Sequence, residues 1–75
     1  MKRRELLSQM ARIARSYGID FDKDHPVHGG RHDRFRVGGY SVEVPRHAEI
    51  VEYTACGILR TFEQLCAQAS KEKRP

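Results

Sequence analysis

Residues 32–44, HDRFRVGGYSVEV, decide the predicted fold of this 75-residue chain. Apolar and polar residues alternate on both sides of Gly38-Gly39, which is the pattern of two strands joined by a two-residue hairpin turn. A tight turn pairs Val37 with Tyr40 and thereby fixes every other pair along the two strands. Residues directly opposite each other share a face of the sheet, so the hairpin is predicted to have one apolar and one polar face.

The register assigns each side chain of the hairpin to one of these faces. The apolar face contains Phe35, Val37, Tyr40, Val42 and Val44. The polar face contains His32, Arg34, Arg36, Ser41 and Glu43. Because the apolar face has to be covered, the polar face is expected to stay open to solvent. On it, Glu43 stands opposite Arg34, close enough to form an ion pair.

Two amphipathic helices are predicted on either side of the strands. From Arg3 to Tyr17, apolar residues recur at spacings of three and four, and Gly18 provides a natural end to that helix. A similar pattern runs from Glu52 to Ala69. The charged residues 70–75 show no apolar periodicity and are predicted to fray. We therefore expect a single domain over residues 1–69 and a C-terminal tail over residues 70–75.

The first of three strands is predicted at Ile19–Lys23, where apolar and charged residues alternate. Residues 24–30, which contain a proline and two glycines, are predicted to be a turn. Gly57, inside the second helix, suggests close backbone packing at that point. The expected fold is α+β: helix, three antiparallel strands and helix (α-β-β-β-α), with both helices on one sheet face, as in a double-stranded-RNA-binding domain.

The chain is basic, with 14 Lys and Arg against 10 Asp and Glu, a formal charge of +4 and a pI of about 9.4. Such a charge favours anionic partners but does not separate RNA from DNA, an acidic protein or a membrane surface. No apolar run is long enough to cross a bilayer. The charged start lacks the apolar core of a signal peptide, so we expect a cytoplasmic protein with no membrane partner.

Four segments, taken in order, resemble the HicA family, the small RNA-cleaving toxins of bacterial toxin–antitoxin pairs. They are residues 1–7 (MKRRELL), 29–35 (GGRHDRF), 44–50 (VPRHAEI) and 57–60 (GILR). The resemblance covers most of the chain up to about Leu65. It implies a metal-independent endoribonuclease that cleaves mRNA without a cofactor, inhibits translation and growth, and is silenced by a HicB-like antitoxin protein.

The resemblance implies that His32, the histidine of the Gly-x-His motif, is the catalytic residue. The chemistry of metal-free RNA cleavage suits a histidine, because the 2′-hydroxyl nucleophile has to lose its proton to a base. An imidazole with the reference pKa of about 6.5 is mostly neutral at cellular pH and exchanges protons readily. Arg34 and Arg36, on the same predicted face, would bind the phosphate and stabilise the charge that develops on it.

Other residues near this position are weaker candidates. Four arginines are the predicted RNA contacts: Arg31, Arg34, Arg36 and Arg46. The turn that carries His47 begins close to the site, because the register places His32 opposite Pro45. It is either a second proton-transfer group or a structural residue at the entry to the last helix.

Two alternative functions stay open beside the nuclease. The same fold serves as a non-catalytic RNA-binding module, in which the arginines matter and His32 does not. A third function is an interaction subunit whose basic surface only docks a partner protein. A zinc site built from His25, His28, His32 and His47 is disfavoured, because the first two flank Pro26 in an irregular loop and no cysteine lies nearby.

Overall fold

A computed structural model describes residues 1–73 of the chain, and the side chains of residues 1–72. Its elements are α1 (Arg3–Ser16), β1 (Val27–Gly29), β2 (His32–Val37), β3 (Tyr40–Pro45) and α2 (Glu52–Lys73). The three strands form one antiparallel sheet in the order β1-β2-β3. The predicted order of helix, three strands and helix is therefore confirmed.

The hairpin of β2 and β3 has the predicted register, from Val37 opposite Tyr40 to His32 opposite Pro45. Burial along β2 alternates strictly between exposed and buried residues, as the two-face assignment requires. Gly38 has a φ of 59°, in the left-handed region that favours glycine. A Cβ atom there would also lie 2.9 Å from the Cβ of Ala69. The turn therefore needs glycine both for its backbone and for its contact with α2.

The core lies between the apolar sheet face and the two helices. Its largest fully buried side chains are Phe35, Phe62, Leu6, Met10, Val37, Val44 and Cys66. Phe21, in the connection after α1, packs on two of them, with ring centroids 4.9 Å from Phe62 and 5.8 Å from Phe35. Rings at these separations gain stabilisation beyond their buried area. The helices therefore cover one face of the sheet and leave the other exposed.

The predicted position of the first strand is wrong. Residues 19–23 contain only a single bridge, from Phe21 to Val37, and the strand lies later, at Val27–Gly29. There Gly29 pairs with His32 across a two-residue turn, and Gly30 in that turn has a φ of 22°. The segment predicted to be a turn thus forms a second tight hairpin. All three residues of β1 are exposed, so the strand has no apolar alternation to reveal it.

The second helix is longer than predicted. It continues past Ala69 to Lys73, and Glu72 in this extension accepts hydrogen bonds from the Tyr40 hydroxyl and from Gln68. The predicted end of the helix at Ala69 is therefore wrong, and a hydrogen bond from the sheet to Glu72 holds the last turn; the fraying of the tail stays a prediction. Residues 74–75 of the predicted tail lie outside the described residues.

The surroundings of Gly57 also differ from the close backbone packing that was predicted. An added Cβ atom would have nothing within 4 Å, so no backbone packs closely on this residue. Glycine inside a helix costs about 1 kcal/mol relative to alanine. Among residues 1–73, no contact accounts for that cost.

Within residues 1–73, neither helix combines the length and the hydropathy required to cross a membrane.

Candidate functional site

The open face of the sheet displays His32, Arg34 and Arg36. All three are exposed, and they alternate with the buried residues of β2. Because a strand rises about 3.3 Å per residue, neighbouring members of this row are about 7 Å apart along β2. The face predicted to stay uncovered therefore presents one histidine and two arginines in a line.

His32 lies in a hollow at one end of this face. The hollow is lined by Val27, His28, Gly29, Gly30, Arg31, His32, Arg34 and Glu43. It therefore brings together three of the predicted site residues, His32, Arg31 and Arg34. Arg36 lies further along β2 and lines a second hollow, which Arg34 also borders.

The predicted ion pair between Arg34 and Glu43 is present, with 3.5 Å between the nitrogen and the carboxylate oxygen. Both side chains are 60% exposed, and solvent-exposed pairs of this kind contribute little to stability. Arg34 is therefore held loosely. Within the described part of the chain, neither Arg31 nor Arg36 forms an ion pair, so these two exposed arginines present positive charge to solvent, and Arg34 does so beside its weak pair with Glu43.

Beneath the hollow lies a buried carboxylate that the sequence analysis missed. Asp33 is only 4% exposed. One of its oxygens accepts a hydrogen bond of 2.6 Å from Arg3, and the other accepts one of 2.8 Å from the Nδ1 of His28. The Nε of Arg46 lies 3.5 Å from the same oxygen as His28. Asp33 therefore joins the start of α1, strand β1 and the segment after β3.

These partners hold the pKa of the Asp33 carboxyl below its ordinary value. The hydrogen bond from His28 is the largest cause. Burial acts in the opposite direction, and the charges of His28, Arg3 and Arg46 lower the pKa further. Asp33 is thus a carboxylate at neutral pH, and the cluster keeps its negative charge fully paired.

Arg3 and Arg46, which contact Asp33, also donate hydrogen bonds to the backbone on either side of His32. Arg3 donates from Nε to the carbonyl of Pro45 at 3.0 Å, and its guanidinium lies 5.6 Å from the centre of the Phe35 ring. Arg46 donates from its side chain to the carbonyl of Gly30 and from its backbone N–H to that of Arg31, both at 3.2 Å. Arg46 therefore stabilises the turn that precedes His32. Its predicted contact with RNA stays a prediction.

The remaining histidines lie apart from the hollow or have other partners. His47 is exposed and does not line the hollow, so its proton-transfer function stays a prediction. His25 pairs with Asp22 at 2.8 Å and His28 with Asp33. Among residues 1–73, no group of three or more His, Cys, Asp or Glu side chains is arranged to hold a metal ion.

Comparison of the chain with known protein families, with curated proteins and with solved structures finds no match in any of the three. The family resemblance therefore rests on the four sequence segments.

The Asp33 cluster predicts an acid-dependent loss of stability. A carboxylate whose pKa is lowered by folding stabilises the folded state above the unfolded pKa of about 3.9, and this stabilisation is lost as the pH falls through the folded pKa. We expect Asp33→Asn to lower the midpoint of thermal unfolding at pH 7. Below about pH 4, the midpoint of this variant should decrease less steeply with falling pH than that of the wild type. Thermal unfolding followed by circular dichroism between pH 2 and 7 measures both effects.

Asp22→Asn is the matched control, because Asp22 is exposed but also has a lowered pKa and a histidine partner. Solvent screens its pairing, so its replacement should change the curve much less. Equal curves for the two variants would contradict a structural role for the Asp33 cluster.

Proposed function

We propose that this protein is a metal-independent endoribonuclease of the HicA type, which cleaves mRNA with His32 as its general base. The observation that carries the proposal is the hollow on the open sheet face, where His32, Arg31 and Arg34 line one exposed surface. A nuclease that uses the RNA's own hydroxyl needs a base and cations at one accessible place, and the hollow offers both.

In the proposed reaction, His32 removes the proton from the 2′-hydroxyl of the nucleotide at the hollow. The 2′-oxygen then forms a bond to the adjacent phosphorus, and the bond from phosphorus to the 5′-oxygen of the next nucleotide breaks. An acid returns a proton to that leaving oxygen. Within this chain, His47 is the proposed acid. The products are a 2′,3′-cyclic phosphate and a free 5′-hydroxyl.

The arginines supply the charge that this reaction requires. Arg31 and Arg34 border the hollow and are the proposed ligands of the reacting phosphate. Arg36 lies one step further along β2 and would hold a neighbouring phosphate of the same strand. Guanidinium groups suit this function because they bind phosphate oxygens through two parallel hydrogen bonds.

An RNA-cleaving enzyme has to be restrained in its own cell. We propose that a HicB-like antitoxin in the cytoplasm covers the open face. Acidic residues in such a partner would complement the exposed arginines, and electrostatic matching of this kind speeds association. Release of the protein from this antitoxin would lead to mRNA degradation, with arrest of translation and growth.

One observation favours a second function, that of a non-catalytic RNA-binding module. No side chain of residues 1–72 forms a hydrogen bond with the His32 imidazole. Catalytic histidines are commonly oriented by a hydrogen bond to the second ring nitrogen. In the nuclease, the bound RNA would have to supply that orientation.

Incubation of the purified protein with RNA in excess EDTA tests the proposal. We expect fragments that end in a 2′,3′-cyclic phosphate, because the reaction uses no metal. Intact RNA that is nevertheless bound would favour the binding module, and loss of cleavage on chelation would contradict the metal-free mechanism. Arg34→Ala should weaken RNA binding and reduce its salt dependence, whereas Arg12→Ala on an exposed face of α1 serves as the control.

A further inference from the structure

Strand β3 forms an unprotected edge of the sheet. In a two-residue hairpin closed by Val37 and Tyr40, alternate residues of β3 bond to β2, so Ser41 and Glu43 direct their backbone N–H and C=O groups outward. The next outward carbonyl, that of Pro45, accepts a hydrogen bond from Arg3. Exposed edges are commonly guarded by proline, lysine or a bulge. Between Tyr40 and Val44 there is neither proline nor lysine.

A groove runs along this edge, between β3 and α2. Its strand side is formed by Arg34, Ser41, Val42 and Glu43, and its helix side by Thr54, Gly57, Ile58, Thr61 and Leu65. The helix residues recur at spacings of three and four, so they form one face of α2. Thr54, Gly57 and Thr61 of this face are exposed. Backbone groups that have no partner within residues 1–73 and a face with small side chains thus lie next to each other.

Gly57 is the second observation that points to this groove. The space around its missing side chain is empty, so the fold gains no contact from glycine while the helix loses stability. A glycine on an exposed helix face allows a second helix to approach closely. Its position beside the free strand edge is explained if another chain occupies that space.

We propose that two copies of this chain form a symmetric dimer by antiparallel pairing of their β3 strands. A two-fold axis at Val42 pairs Ser41 of each copy with Glu43 of the other, which joins the outward backbone groups in hydrogen bonds. The result is a continuous six-stranded sheet. The axis keeps all four helices on one face of that sheet and brings the Gly57 faces of the two α2 helices together.

Side-chain chemistry favours this register and a second copy as the occupant. Val42 meets Val42 of the second copy on the helix side, and on the open side the Glu43 carboxylate meets the Ser41 hydroxyl of that copy. A register centred on Glu43 would instead oppose two carboxylates, which destabilises pairing. The strand is therefore complementary to itself over residues 40–44. The dimer does not depend on the proposed function, because it is argued from the strand edge and the Gly57 face, which do not include His32.

Sedimentation equilibrium across a dilution series, with a reductant present, measures the association. The wild type is expected to approach twice its monomer mass of 8.7 kDa. Gly57→Arg should raise the dissociation constant on the order of 30-fold or more, because it fills the centre of the helix contact. Cys56→Arg is the matched control: it adds the same side chain at the neighbouring exposed position, outside the groove, and should leave the dimer intact.

Hydrogen exchange of single amides provides an independent measurement. The N–H groups of Ser41 and Glu43 should exchange slowly at concentrations where the dimer forms and rapidly after dilution. A wild type that stays monomeric at every concentration overturns the proposal. So does a dimer that Gly57→Arg leaves unchanged, or one in which these two amides exchange rapidly, because the copies would then associate through another surface.

Discussion

Replacing His32 with alanine is expected to lower the rate of RNA cleavage by about 10²–10⁴-fold, the usual contribution of a positioned acid or base. His32 is exposed and no described side chain bonds to it, so the variant should fold and bind RNA as the wild type does. The loss should therefore appear in kcat far more than in KM, since the arginines that hold the phosphates are untouched. Cleavage rates of a labelled RNA, measured over a range of RNA concentrations, give both parameters.

His25→Ala is the control for this experiment. His25 is also an exposed histidine, but it pairs with Asp22 and does not line the hollow. Its replacement should leave cleavage unchanged. If His32→Ala cleaves RNA at the wild-type rate, His32 is not the general base and another residue must remove the proton. A parallel His47→Ala variant tests the proposed acid, whose loss should slow departure of the 5′-oxygen.

The central hairpin follows from its own sequence because two independent signals agree there. Alternation assigns the side chains of β2 and β3 to two faces, and Gly38-Gly39 fixes which residues stand opposite each other. Every predicted pair from Val37 and Tyr40 outward is present. Because both signals are local, the positions of His32 and Arg34 on the open face were predictable from the chain alone.

Strand β1 was not predictable by the same means. Val27–Gly29 is exposed throughout, so its pairing with β2 depends on backbone hydrogen bonds and on the Gly30-Arg31 turn rather than on burial. By contrast, Ile19–Lys23 alternates because Ile19 and Phe21 pack against the core from an irregular segment. Alternation reports which side chains are buried, and strand pairing does not have to follow it.

The Asp33 cluster was missed because its members are far apart in the sequence. The hydrogen bond from Arg3 spans 30 residues, and no local pattern predicts such a contact. One signal was present: the register puts Asp33 on the apolar face, where a buried carboxylate requires partners with positive charge or hydrogen-bond donors. That requirement predicts a cation from a neighbouring element, although it does not say which one.

Replacing Phe35 with alanine should have the largest effect on stability. Its side chain is fully buried, and the Phe21 ring and the Arg3 guanidinium both lie against it. Truncation of a buried phenylalanine costs about 3–5 kcal/mol. A domain of this size is stable by only about 4–11 kcal/mol. Urea unfolding followed by circular dichroism should therefore show a free energy of unfolding that is lower by about 3–5 kcal/mol, a large share of the total.

The comparison of Phe35→Ala with His32→Ala separates folding from chemistry at one site. Phe35 lies three residues from His32 on the opposite face of β2, so both variants should lose cleavage, but only Phe35→Ala should lower the free energy of unfolding. Tyr53→Ala, at a side chain that is 89% exposed, is the stability control and should change that energy by no more than about 0.5 kcal/mol. A Phe35→Ala protein with wild-type stability would mean that the core does not centre on this ring. A His32→Ala protein that unfolds would mean that the loss of cleavage reports folding rather than proton transfer.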